Sequence, residues 1–111
     1  MSKLPLRAVG WKLLLKPMTP QEVTKGGIIL AEQTKDAHLI SALVCEVIDI
    51  GPQAYSDKER YPSGPWCHVG DHVMIGRLSG SRFRIDDEEY RLLNEDEVQG
   101  LVSDPSRISK V

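Results

Sequence analysis

The apolar residues of this chain recur with the period of strands, and that spacing narrows the fold more than any other feature. Trp11-Lys-Leu-Leu-Leu-Lys16 puts Trp11, Leu13 and Leu15 on one face and both lysines on the other, as an extended chain with alternating side chains requires. Between Leu39 and Ile50, the residues Ile40, Val44, Val47, Ile48 and Ile50 form a β-branched enrichment that favours a buried strand. Val73 to Arg77, Arg82 to Ile85 and Tyr90 to Leu93 are three further short runs. Gly70-Asp71, Ser79-Gly80-Ser81 and Asp86-Asp87 separate them with residues suited to tight turns. The pattern predicts an all-β domain, a small barrel or sandwich.

One short helical signal follows. Asn94 can cap a helix and Glu97 can reach back to it, with Val98, Leu101 and Val102 on one face. Gly100 limits that helix and Pro105 ends it, so about one turn is expected. At 111 residues the chain has room for one domain, expected over 1–102. The remainder, 103–111, is a polar tail expected to be poorly ordered.

Charge and cysteine usage exclude whole classes of function. Fourteen Lys+Arg against sixteen Asp+Glu, a net charge of −2, argues against a nucleic-acid partner. The longest apolar stretch, Leu39 to Ile50, holds Glu46 and Asp49 and is too short for a bilayer. Lys3, Arg7 and Lys12 interrupt the early apolar runs, so no signal peptide opens the chain and a cytoplasmic protein is expected. Cys45 and Cys67 are too few for a disulfide scaffold and form no Cys-x-x-Cys pair.

Chemistry-bearing clusters lead nowhere. Cys67-His68 and His72 have only Cys45 and His38 to complete a zinc set, so no metal is expected. Asp86-Asp87-Glu88-Glu89 lacks the spaced ligands of a calcium loop and reads as a hairpin turn. Ser79-Gly80-Ser81 is no nucleophile elbow, and no phosphate or dinucleotide loop is present. Neither enzyme nor cofactor is expected. Arg77, Arg82, Arg84 and Arg91 could line one sheet face, and nearby carboxylates favour pairing within the sheet or between subunits.

Two stretches do not read as strands. Gln53 to Pro65 is polar, carries Pro62, Gly64 and Pro65, and has Tyr55, Tyr61 and Trp66 in or beside it. Such rings either pack or face a partner; packing is the better reading for Trp66, while Tyr55 and Tyr61 are candidates to face a partner. The other stretch, Met18 to Lys35, isolates Gly26-Gly27-Ile28-Ile29-Leu30 between solvated flanks. A buried strand begun at a Gly-Gly turn is one reading of it. A loop hinged at Gly26 and Gly27, offering Ile28, Ile29 and Leu30 to a groove on a partner, is the other. Burial of each aliphatic side chain is worth about 1.5–3 kcal/mol before costs. Ordering a long loop removes a few kcal/mol of that, so one copy binds weakly and several copies on a symmetric ring bind well.

In this order these segments resemble the GroES-type co-chaperonins, the 10-kDa chaperonins. Leu6-Arg7-Ala8-Val9-Gly10 and Leu13-Leu14-Leu15-Lys16-Pro17 resemble the family's opening strand. Thr24 to Leu30 is similar to its mobile loop, and Glu46 to Pro52 to the strand leading into its roof. Val69 to Arg77, Gly80, Arg84-Ile85-Asp86, Glu88-Glu89-Tyr90 and Asn94 to Val98 match most closely. The resemblance covers about residues 5–102. It implies a small, partly open GroES-like β-barrel with a mobile loop at about 18–36, a roof-like segment at about 52–66 and one short C-terminal helical turn. It further implies a homo-oligomeric ring, typically a heptamer, built through edge strands. That ring would cap an ATP-driven double-ring chaperonin through Ile28, Ile29 and Leu30 and enclose unfolded client proteins. Trp11-Lys12, Cys45, Leu78, the longer stretch after Leu30 and the tail depart from the pattern. They suggest a divergent member, with a viral origin and a host cytoplasm as one option. The alternative function is a structural or decoration protein of a larger assembly such as a virus particle.

Overall fold

The computed structural model describes residues 4–18 and 44–108. Among these residues, six strands make one antiparallel sheet: β1 (Lys12–Pro17), β2 (Val44–Ile50), β3 (His72–Ile75), β4 (Ser81–Ile85), β5 (Glu88–Asn94) and β6 (Val98–Val102). Their order across the sheet is β4-β5-β1-β2-β3-β6. Strands β5 and β6 thus stand second and sixth, about 19 Å apart in a flat sheet at ~4.8 Å per strand. Only Glu95–Glu97 joins them, wound as one 3-10 turn that rises about 2 Å per residue. The sheet has to curl. Register shifts at Leu14/Leu15 in β1 and Met74/Ile75 in β3 supply the bends.

Inside the curl, Leu13 and Leu15 pack with Cys45, Val47, Val73, Ile75, Leu93 and Val98. Leu14 is also fully buried, but in a second cluster with Ala8, Ile85 and Tyr90. Both faces of β1 are therefore covered, where a one-sided alternation was expected. Trp11 does not share the core face with Leu13 and Leu15: it is 56% exposed. Gly10, at φ +58, turns the chain just ahead of the strand, and the Lys12 N–H donates to the Val9 carbonyl at 3.1 Å. Trp11 belongs to that turn.

The face turned away from the interior carries two apolar patches, each covered by one end of the chain. Leu4, Leu6 and Ala8 lie over Leu14, Ile85 and Tyr90, fixed by the Ala8 N–H donating to Asp49 Oδ2 at 2.9 Å. Met18, Met74, Val102 and Ile108 surround the fully buried Val44. The expected loose tail is thus structured as far as residue 108, with a 3-10 turn at Pro105–Arg107.

Local signals near the C-terminus divide. Asp86 and Asp87, at φ +51 and +68, form the β4–β5 hairpin turn expected there, with the twist of an I′ turn. The Asn94 N–H donates to Glu97 Oε2 at 2.7 Å, so the box between Asn94 and Glu97 forms as anticipated. Val98, Leu101 and Val102 are not a helix face, however. They continue as β6 and pair with β3, Val73 opposite Leu101 and His72 opposite Val102, because the edge of β3 is open to receive them.

Candidate functional site

Where the longest connection leaves the sheet, β1 and β2 make a neck. Lys16 pairs with Glu46 and Pro17 with Cys45; then the Met18 N–H donates to the Val44 carbonyl at 3.0 Å. Residues 19–43 depart and return across two adjacent strands. Lys16 Nζ and Glu88 Oε2 form an ion pair beside this point, 2.5 Å apart. Gly26, Gly27, Ile28, Ile29 and Leu30 lie outside the described residues.

The connection from β2 to β3 is irregular but pinned. Tyr55 adopts φ +60, and its N–H donates to Glu95 Oε1 at 2.5 Å. Its phenol donates to the Glu95 carbonyl at 2.7 Å. Tyr61 stands edge-on to Tyr55 with ring centroids 4.9 Å apart, and Trp66 packs on both at 5.6 and 5.0 Å. Burial pushes the Tyr55 phenol, and the neighbouring Cys67 thiol, above their usual values. Tyr55 and Tyr61, the candidates for facing a client, are buried in the interior cluster. Trp66, read as a packing residue, is the ring left 44% exposed. Trp66 nonetheless packs on both tyrosines, as read, and Tyr55 can be buried because its hydroxyl finds a carbonyl inside.

A second pinned stretch joins β3 to β4. Arg91 of β5 is fully buried. Its Nη1 donates to the carbonyls of Arg77 at 2.8 Å, Ser79 at 3.2 Å and Gly76 at 3.3 Å. Leu78, at the tip of that turn, is 85% exposed. Gly80 sits at φ +75, where a Cβ would meet the Leu92 carbonyl oxygen at 2.7 Å. The four arginines therefore do not act as one surface. Arg91 is internal, while Arg82 pairs with Glu89 across the hairpin at 3.0 Å.

These sites offer no covalent chemistry. Burial pushes the Cys45 thiol up to about 12 against the opposing pull of Arg91, which leaves a protonated, inert sulfur. Among the described residues, no three His, Cys, Asp or Glu side chains are grouped so as to hold a metal. His68 is exposed, 3.8 Å from Asp71. No helix among them is long and apolar enough to cross a membrane.

Among the described residues, the geometry provides a curled sheet with β4 and β6 at its edges, a neck and two pinned loops. The model of the chaperonin 10 kDa subunit family matches residues 5–102. The chain belongs to that family. A co-chaperonin GroES of Caldicellulosiruptor saccharolyticus is 32% identical over 101 residues, covering 91% of this chain and all of that one. One from Kosmotoga olearia is 33% identical over 104 residues, with 94% of this chain and all of the relative covered. One from Solidesulfovibrio magneticus is 29% identical, over 89% and 98% of the two chains. A chaperonin 10 kDa protein is a co-chaperonin and not an enzyme. Identity near 30% makes this a divergent member, as the departures at Trp11, Cys45 and Leu78 imply. Two residues that organise its loops, Glu95 and Arg91, were not singled out as such from sequence. The Asn94–Glu97 capping signal lay beside the first, and a charge within the apolar Tyr90–Leu93 run was the available sign of the second.

Proposed function

We propose that this chain assembles into a homo-oligomeric ring, a heptamer by analogy with its family, that caps an ATP-driven double-ring chaperonin. Ile28, Ile29 and Leu30 are the anchor, Gly26 and Gly27 its hinge, and the closed chamber holds an unfolded client protein. The observation that carries this reading is the neck. Met18 and Val44, which flank residues 19–43, are joined by one backbone hydrogen bond of 3.0 Å, a fixed base for a connection that carries the Gly-Gly-hinged triplet between polar flanks. Ten residues from Met18 to Ile28 can extend about 35 Å at most, which is ample for reaching a neighbouring subunit assembly. Strands β4 and β6, the edges of the sheet among the described residues, suit closure of a ring, since strand edges seek partners.

Substituting Ile29→Asp tests the anchor. Each site should lose about 2 kcal/mol or more of apolar burial, and multiplication over the ring takes ATP-dependent binding below detection. Size-exclusion chromatography with light scattering, with a double-ring chaperonin and ATP, reads both quantities. The expected result is an oligomer of unchanged mass that no longer co-elutes. A variant that still binds overturns the assignment. Association with particles in place of a chaperonin would favour the static structural role instead.

A further inference from the structure

The family match ends at residue 102, and the residues beyond it fold over the neck. Met18, Val44, Met74 and Val102 form an apolar patch on the outward face of the sheet, at the point where residues 19–43 leave. Ser103 takes the chain off β6, and Pro105–Arg107 make a 3-10 turn. In that turn the Arg107 N–H donates to the Asp104 carbonyl and the Ile108 N–H to the Pro105 carbonyl, each at 3.1 Å. This carries Ile108 back onto Val44, which is left without exposed surface. Gly100 stands opposite Met74, with nothing within 4 Å of where a Cβ would be. A groove of about 460 Å³ remains beside the turn, lined by Met74, Gly100 and Leu101 among others. Of the side chains packed on Val44, Ile108 alone comes from this short turn.

We propose that residues 103–108 are a strap that keeps the neck closed. Ile108 helps to cover Val44 and thereby protects its backbone hydrogen bond to Met18. With the strap down, β1 and β2 stay joined at Met18 and Val44. With it lifted, the neck frays into β1 and β2 and the tether lengthens at both ends. A longer tether has a lower effective concentration at its partner and more freedom to lose on binding. The strap therefore sets the reach of the segment, and this last consequence rests on the lid reading above.

Hydrogen exchange of backbone amides, followed by NMR on the full-length protein, tests the strap without any chaperonin. In Ile108→Asp, and in a chain ending at Val102, the Met18 amide should exchange at least ten-fold faster than in the parent, with the amides of β5 unchanged. Ile108→Leu should restore the parent rate. Unchanged exchange at Met18 in both variants overturns the proposal. If β5 also accelerates in Ile108→Asp, Ile108→Ala decides: acceleration confined to the neck supports the strap, and uniform acceleration overturns it. Binding of the same variants to a double-ring chaperonin should weaken several-fold. Fast Met18 exchange with unaltered binding keeps the strap and removes its link to the partner.

Discussion

Two irregular stretches, 51–67 and 76–80, are each held to the sheet by one buried ion, and the ions have opposite sign. Glu95 receives the Tyr55 N–H on its carboxylate; Arg91 gives one nitrogen to three carbonyls of the 76–80 turn. The sign follows from which backbone groups the turn leaves pointing inward. A positive φ at Tyr55 rotates its N–H into the protein, where only an acceptor can satisfy it. The 76–80 turn instead directs carbonyls inward, and a guanidinium with five donors can meet several at once. Their counter-charges differ as well. Glu95 looks toward the exposed Arg60 at 4.0 Å, whereas Arg91 has Glu89 at 3.9 Å from Nε and no hydrogen-bond partner for that atom. Glu95 keeps access to a charge on the solvent side, whereas Arg91, fully buried, is satisfied chiefly by carbonyls from within.

Arg91→Leu is the harshest test of that contrast. The substitution strands inward-pointing carbonyls of Gly76, Arg77 and Ser79, and unsatisfied buried groups cost about 1–3 kcal/mol each. The Ser79 N–H already bonds the Gly76 carbonyl, and relaxation of the exposed tip recovers part of the loss. A net cost of roughly 3 kcal/mol is expected, a fall of ten degrees or more in melting temperature for a chain of this size. Buried ions can sometimes be replaced by apolar residues at no cost. A leucine variant melting with the parent would show that the guanidinium merely fills space.

Glu95→Gln comes next. The amide oxygen can still accept the Tyr55 N–H, so what is removed is charge, not the acceptor. Hydrogen bonds to charged groups are worth about 1.5–3 kcal/mol against about 1 for neutral ones, and the difference, about 1 kcal/mol, is the expected loss in a denaturant titration. A loss as large as that of Arg91→Leu would erase the distinction between the two anchors.

Sequence patterning found the elements that depend on neighbouring residues. The Asp86-Asp87 turn and the Asn94–Glu97 box each rest on contacts within a few positions, and both form as expected. The Gly-Gly-Ile-Ile-Leu segment stood out for the same reason, its flanks being polar on both sides. What patterning missed is set by distant chain. Leu14 looks like the solvent face of an alternating strand, until Leu4, Leu6 and Ala8 cover it. Val98 to Val102 satisfies helical and extended spacing equally over five residues, and the open edge of β3 decided for a strand. Arg91 is one charge in an apolar run, and only the turn packed against it explains its burial. Ile108 sits in a polar tail and gains its role from Val44, far away in sequence.

Arg60→Ala should have the smallest effect and sharpens the account of Glu95. Arg60 touches Asp96 at 3.1 Å and Glu95 at 4.0 Å, and its guanidinium stands 5.3 Å from the centre of the Tyr61 ring. All of this takes place at the surface, where ion pairs are screened and offset by side-chain entropy. If Glu95 is held by the Tyr55 N–H, removing Arg60 leaves the melting temperature within the error of a thermal scan, and near-ultraviolet circular dichroism of the aromatic cluster unchanged. A drop matching that of Glu95→Gln would mean that the surface arginine, and not the inward N–H, fixes the carboxylate. The two loops would then be held by different physics, ion pairing at one and backbone satisfaction at the other.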